Sequence, residues 1–450
     1  MSDSQYTVGI YTLGCKVNQY ESEAIAERFA SNGFAVQAPT RPCDVYVINT
    51  CTVTAESDRK ARQFIRRAIH QNPQAYVLVT GCLSQTQPEQ VGAIDGVDYI
   101  CGNAEKQSVV DAAIRLLKSG AKNQSPEFSV TQPDSLGFEQ MTITRFNRTR
   151  AYIKIEDGCE NRCTYCIIPT ARGKVRSKAP DEVLDEVRTL TANGCREIVL
   201  TGIETASYGK DLEGYGLAEL LSEIDRIPGI GRVRLGSLDP SLMKQPFVDR
   251  IAALHSLAPH FHLSMQSGSD RVLALMKRKY NRGMALEGMQ RLREAIPGVQ
   301  FTTDMIVGFP TESDEDFVDT LDLLRQARFL TVHAFPYSRR AGTPAAELDG
   351  QIPEAVKHER MTSLTQLQTE IRRDILNGMI GRKTEVLFET HRNDLAYGHA
   401  ADFTEVCVPS VRPLHAKILP VLIEKNDGER LFGTLCPANT QNSNEGEQPI

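Results

Sequence analysis

The chain has 450 residues, of which 41% are hydrophobic and 24% charged, with a net charge of −6. That length exceeds one ordinary core, so two or three domains of soluble globular character are expected, and the acidic balance excludes general nucleic-acid binding except through local basic patches. Met1-Ser-Asp-Ser-Gln carries no basic or apolar leader and no apolar run approaches membrane-spanning length, which predicts a cytoplasmic protein with no membrane partner. In that reducing compartment the eleven cysteines are expected to serve metals or catalysis rather than disulfides.

Over residues 1–125 strands and helices alternate. Strands are read at 8–13, 44–50 and 75–80; a helix at 21–30 carries Ile25 and Phe29 and stops at Asn32-Gly33, and a basic amphipathic helix spans 56–70. The alternation predicts an α/β unit with a parallel, doubly wound sheet. Cys15, Cys51 and Cys82 each follow a strand directly. In a parallel sheet such positions share one edge, where ligand sites form, so three thiols distant in sequence converge. Cys43 precedes its strand and belongs to the opposite edge, while Cys101 follows a short strand at 97–100 and competes for the same edge. Asn18 is placed to cap the first helix, or else to contact a ligand near the thiols.

A linker rich in Ser, Pro, Gln and Gly follows, bounded here at 126–144, before a second domain over 145–376. Its first strand, 151–155, leads into Cys159-Glu160-Asn161-Arg162-Cys163-Thr164-Tyr165-Cys166. Three thiolates on one loop suit a soft metal centre, and three is one short of four: an iron–sulfur cube so held keeps one iron open for a small molecule. A structural zinc knuckle would need a second doublet or histidines at matching spacing, which this segment lacks. Further strands are read at 197–201, 232–237, 261–265, 301–307 and 330–335 with helices between most of them, predicting a partial (βα)6 barrel with active residues at the strand C-terminal ends.

A helix at 353–376 precedes short strand-like runs at 384–389, 404–408 and 421–423, read as a small all-β barrel over 377–440, with a disordered tail at 441–450.

The Cys159 loop, with Tyr165 before its last cysteine, resembles the radical S-adenosylmethionine (SAM) superfamily, whose open iron chelates that cofactor. The resemblance implies SAM contacts at Gly202 and Glu204, at Ser237 and Asp239, at Gln266 and Gly268, and at Gly308. Adding Leu13-Gly14-Cys15-Lys16-Val17-Asn18, Asn49-Thr50-Cys51 and Gly81-Cys82, nearly the whole chain resembles the methylthiotransferases. That family implies two 4Fe-4S clusters, one on Cys159, Cys163 and Cys166 for radical generation and an auxiliary one on Cys15, Cys51 and Cys82 for sulfur insertion. It also implies a C-terminal TRAM-like RNA-binding barrel. An aromatic C–H needs a radical to remove its hydrogen, which explains why both clusters are required. The family divides over isopentenyl-adenosine in tRNA, threonylcarbamoyl-adenosine next to the tRNA anticodon, and an aspartate of a ribosomal protein; the Cys15 segment most resembles the second branch. The implied partners are tRNA, an external electron donor and a sulfur source the sequence does not identify, in a monomer or weak homodimer. Basic clusters offer RNA contacts at Arg62, Arg66, Arg172, Lys174, Arg176 and Arg339, with Arg278 and Arg282 in a further run. Readings from other classes are an iron–sulfur electron carrier, which would need four ligands per cluster, and a non-catalytic RNA-binding metalloprotein.

Overall fold

β1 (Thr7–Thr12), β2 (Ala35–Gln37), β3 (Val45–Thr50), β4 (Tyr76–Gly81), β5 (Tyr99–Cys101) and β6 (Glu127–Ser129) form one sheet in the order β2-β1-β3-β4-β5-β6, with every pair parallel. The structure is a computed structural model that describes residues 5–120, 122, 125–146 and 148–437. β3 alternates between two cores: Val45 and Val47 pack with α1 (Lys16–Ser31), Tyr46 and Ile48 with α2 (Ala55–Gln71). Burial on both faces makes β3 and β4 continuously apolar and the sheet doubly wound, as expected. α2 buries Ala61, Ile65 and Ala68 at helical spacing and starts at Thr54, whose hydroxyl accepts the Ser57 N–H at 3.1 Å. The strand order reverses between β1 and β3, and a crevice forms at such a switch point.

Three details differ from the sequence expectation. The stretch read as linker supplies β6, whose three residues are too few to show a period. α1 begins at Lys16 rather than near residue 21, because its first turns bury Asn18, Glu21 and Ser22 along with Val17 and Tyr20, which breaks up the apolar period. β2 is a three-residue edge strand, too short to stand out in the sequence.

The second domain opens with β7 (Ala151–Lys154), after which β8 (Glu156–Asp157) and β9 (Arg176–Ser177) pair antiparallel around the Cys159 loop. β10 (Glu197–Thr201) lies between β7 and β11 (Arg232–Leu235); β12 (Ser237–Leu238), β13 (His260–Gln266), β14 (Gln300–Val307) and β15 (Thr331–Pro336) form a second parallel run. Only Gly236 separates β11 from β12, so six strand positions make the partial barrel. Val8 and Val47 of the first sheet and Ile25 of α1 share one continuous core with Ile153, Leu200 and Phe261 of the barrel.

Helix Glu354–Asn377 leads to β16 (Lys383–Arg392), β17 (Leu395–Ala400), β18 (Glu405–Pro409), β19 (Ile418–Asn426) and β20 (Leu431–Leu435), a closed barrel in the order β16-β17-β18-β20-β19. Val386, Phe388, Ala396, Val406 and Val421 fill it. β17 and β20 escape a reading of the sequence because each carries an interior glycine; a Cβ on Gly398 would stand 2.2 Å from the Leu387 carbonyl oxygen. The expected tail lies outside the described residues. No described helix is long and apolar enough to cross a membrane.

Candidate active site

Cys15, Cys51 and Cys82 follow the adjacent strands β1, β3 and β4 at the switch-point edge. Thr12 pairs with Asn49 and Thr50 with Gly81, so the three thiols end the strands almost in register. Glycine makes the approach possible. Gly14 has φ +95°, and a Cβ there would stand 2.8 Å from the Cys51 sulfur; Gly81 has φ +102°, and a Cβ there would stand 2.4 Å from the Thr50 carbonyl oxygen. Burial pushes the Cys51 thiol up to about 11, with the Cys82 and Cys15 charges adding to it. Cys43 lies at the opposite edge, its sulfur 3.3 Å from the Arg41 carbonyl oxygen, as expected. Cys101 is excluded as a competitor, because it is wholly buried within the hydrophobic core.

The Cys159 loop is fixed by backbone bonds. Cys159 N–H donates to Gly173 O at 2.9 Å, Thr164 N–H to Met276 O at 3.1 Å, and Ala345 N–H to Thr164 O at 2.9 Å. Gly158, at φ +87°, has no room for a side chain: a Cβ would fall 1.8 Å from Lys174 O. Cys159 and Cys166 are each pushed up to about 12, by burial first and then by neighbouring charges that include the loop's other thiols. The Cys166 sulfur accepts the Ile168 N–H at 3.4 Å, and the Cys163 sulfur accepts from Arg278 Nη1 at 3.2 Å. Arg278 is locked in turn by Asp239 at 2.9 Å and Ser264 O at 3.0 Å. It therefore lies inside the site and not on an RNA-facing surface, a role that its place in a basic run hides.

The two thiol sets face each other across the domain boundary: the Cys82 charge acts on Cys166, and Arg172 feels both Cys15 and Cys82. Beside them Glu21 accepts from Lys154 at 2.9 Å and Arg172 at 3.0 Å and also pairs with Lys106, while Asp157 binds Arg172 at 2.9 Å and Lys154 at 3.1 Å. Burial opposes ionisation of Glu21, yet Arg172, Lys106 and Lys154 hold its carboxyl well below the usual range. With Arg176 3.9 Å from Asp157, four cations face the two carboxylates, so positive charge is in excess next to Cys15 and Cys82. That surplus fits an anionic thiolate-bound group. Among the described residues no three His, Cys, Asp or Glu side chains close on one ion.

Two expectations are corrected here. Arg172 is completely buried and Arg176 nearly so, its guanidinium donating to Pro133 O and Arg172 O, so neither is open to RNA. Asn18 caps nothing; its Nδ2 donates to Leu13 O at 2.7 Å and Thr50 O at 2.9 Å, and its Oδ1 accepts from Arg172 at 2.7 Å. Lys174, Arg66 and Arg339 are exposed and Arg62 is half-buried.

The glycine-bearing motifs sit at the strand ends as expected. Gly202 packs on Glu156, where a Cβ would stand 2.4 Å from its carboxylate. The Glu204 carboxyl is pushed up to about 7 by burial and by Asp239, and it accepts from Asn161 in the Cys159 loop. Gln266 and Gly308 have φ of +66° and +73°. Gly268 packs against a helix backbone, its would-be Cβ 2.5 Å from Thr320 Cα. A cavity of about 1090 Å³ runs from Cys15 and Cys51 past Ser237 and down the barrel lumen to Phe403 of the C-terminal barrel. Sequence reasoning passes over its histidines, although His260 and His262, two apart on β13, must share a face.

Residues 153–324 match the family model "Radical SAM superfamily" and residues 7–102 "Uncharacterized protein family UPF0004". The chain is 38% identical over 427 residues to Threonylcarbamoyladenosine tRNA methylthiotransferase MtaB of Bacillus subtilis, covering 93% of this chain and 94% of that one. It is 37% identical to tRNA-2-methylthio-N(6)-dimethylallyladenosine synthase of Acetivibrio thermocellus, covering 84% and 79%. The fold is similar to the radical S-adenosylmethionine methyltransferase TsrM of Kitasatospora setae, with TM-score 0.57 and 17% identity over 76% of this chain and 77% of that one. With identity of this level running from the first strand into the last barrel, the chain belongs to the radical SAM methylthiotransferase family.

Proposed function

We propose that the protein converts threonylcarbamoyl-adenosine beside the tRNA anticodon to its methylthio derivative. The observation that carries this reading is the 38% identity to the Bacillus enzyme over 93% of the chain. Cys159, Cys163 and Cys166 would hold the cluster that binds SAM, and Cys15, Cys51 and Cys82 the auxiliary one. When bound, these groups supply the radical that removes the aromatic hydrogen, the sulfur and the methyl group.

The chain's own residues position and enclose. Arg278, fixed by Asp239, orients the Cys163 sulfur through its 3.2 Å hydrogen bond. Glu204, at the barrel end beside Asn161, supports a contact to the methionyl amine of SAM. The lumen from Cys15 to Phe403 is large enough for a modified nucleoside and is walled by all three domains. Lys174, exposed beside the Cys159 loop, and Arg66, exposed on α2, are proposed to meet tRNA phosphates.

The test is nucleoside mass spectrometry of tRNA from a host lacking this modification, with the chain expressed. The methylthio form of threonylcarbamoyl-adenosine should appear and be lost in Cys163→Ala and in Cys51→Ala. Appearance of methylthio-isopentenyl-adenosine instead would transfer the assignment to the branch of the Acetivibrio relative.

A further inference from the structure

Lys16 projects into the 1090 Å³ cavity next to Cys15, and among the described residues it has no hydrogen-bond or salt-bridge partner. The nearest charges acting on it are those of Arg150 and Arg234, of its own sign, opposed by Asp304 and Cys15. Arg234 lines the same cavity at 3% exposure. Its Nε binds Glu197 at 2.7 Å and its Nη2 binds Ala400 O at 2.9 Å, yet its Nη1 is buried with no partner. A buried guanidinium nitrogen without an acceptor is costly and points to a missing one.

The carboxylates on the wall do not fill this need. Asp304 faces His262 Nε2 at 3.1 Å, Glu56 is held by Arg59 Nε at 2.7 Å, Glu405 lies 3.8 Å from Arg430, and Glu197, behind the wall, is shared by Arg150, Arg232 and Arg234. α1 adds its own polarity, because it begins at Lys16 with no side-chain cap and no acidic residue in the first turn. Two cationic groups with free donors thus look into a cavity that also holds two of the cysteines.

We propose that Lys16 and Arg234 bind the carboxylate of the amino-acid substituent on the target adenosine, and so select threonylcarbamoyl-adenosine over an adenosine with a neutral alkyl group. This assignment rests on the substrate reading above. An isopentenyl group would leave both donors unpaired, and a site built to pair a polar group discriminates strongly against an analogue lacking it.

The test uses the full-length, cluster-loaded enzyme and anticodon-stem RNAs bearing threonylcarbamoyl-adenosine as the free acid, as its neutral methyl ester, or isopentenyl-adenosine. Wild type should bind the acid about tenfold more tightly than the ester, the effect of one charged hydrogen bond. Lys16→Met should erase that preference while binding the ester as wild type does, and Lys16→Arg should restore it. Equal affinity of wild type for acid and ester, or equal weakening of both by Lys16→Met, overturns the assignment while the substrate reading stands. Modification of only the isopentenyl RNA sinks the substrate reading, and the assignment with it.

Discussion

Arg172 of the barrel and Glu21 of the first domain form an ion pair of 3.0 Å with both side chains completely buried. The pair crosses the boundary between the two cysteine sets, and Asn18, Asp157, Lys106 and Lys154 complete it. Removing one partner from such a cluster strands an uncompensated charge, which costs about 3–5 kcal/mol. Arg172→Met and Glu21→Gln are therefore expected to lower the urea midpoint of the cluster-free protein strongly. A shift no larger than that of a surface control such as Arg188→Ala would refute this account of the boundary.

Gly14→Ala and Gly158→Ala should separate the two metal centres. The first pushes a Cβ onto Cys51 and the second onto Lys174 O, at 2.8 and 1.8 Å. Each variant is expected to retain one of two clusters by iron analysis. Only Gly14→Ala should still cleave SAM, since it leaves the Cys159 loop intact.

His260 gives the fold an acid limit. Burial and the surrounding cations, Arg234, His262, Lys16 and His399, hold its ring well below the usual 6.5, so it is neutral when folded. Below about pH 6.5 the unfolded chain takes up a proton that the folded chain refuses. Stability is therefore full above that pH and falls as pH drops, by up to about 1.4 kcal/mol per unit. His260→Phe, which keeps a ring against Phe403 at the stacked spacing of 4.9 Å, should flatten this slope. Urea midpoints at about pH 7.5 and 5.5 would reveal it.

Surface and buried arginines should differ in their salt signature. Arg66→Ala and Arg67→Ala on α2 are expected to weaken tRNA binding and to lower the slope of log affinity against log salt by about 1 for every phosphate left without its cation. Arg176→Ala should leave the slope unchanged, because its guanidinium is spent on backbone carbonyls. A reversed pattern in filter-binding titrations would put the RNA on another face.

The fold is readable in the sequence where one period dominates. β3 and β4 announce themselves as unbroken apolar runs, and the three Gly-Cys and Thr-Cys strand ends follow from sheet polarity alone. Elements whose buried face is partly polar escape: the first turns of α1 bury Asn18, Glu21 and Ser22 between Val17 and Tyr20, so the apolar stripe is broken. Charge runs mislead for a related reason. Arg172, Arg176 and Arg278 look like solvated cations in sequence, and only their distant partners, Glu21, Pro133 O and Cys163, show them to be internal. Lys16 reads as one more letter of a motif until the cavity shows that, among the described residues, it has no hydrogen-bond or salt-bridge partner.

The Gly-Cys steps at Gly14, Gly81 and Gly158 have a consequence for assembly. Backbone conformation, strand register and the core around Val47, Ile153 and Phe261 place the thiols, and the scaffold is expected to close before iron enters. Zinc fingers, in contrast, are unfolded until their ion arrives. Maturation should then be an insertion into a finished chain, and a cluster destroyed by oxygen should be replaceable in the same molecule without unfolding it.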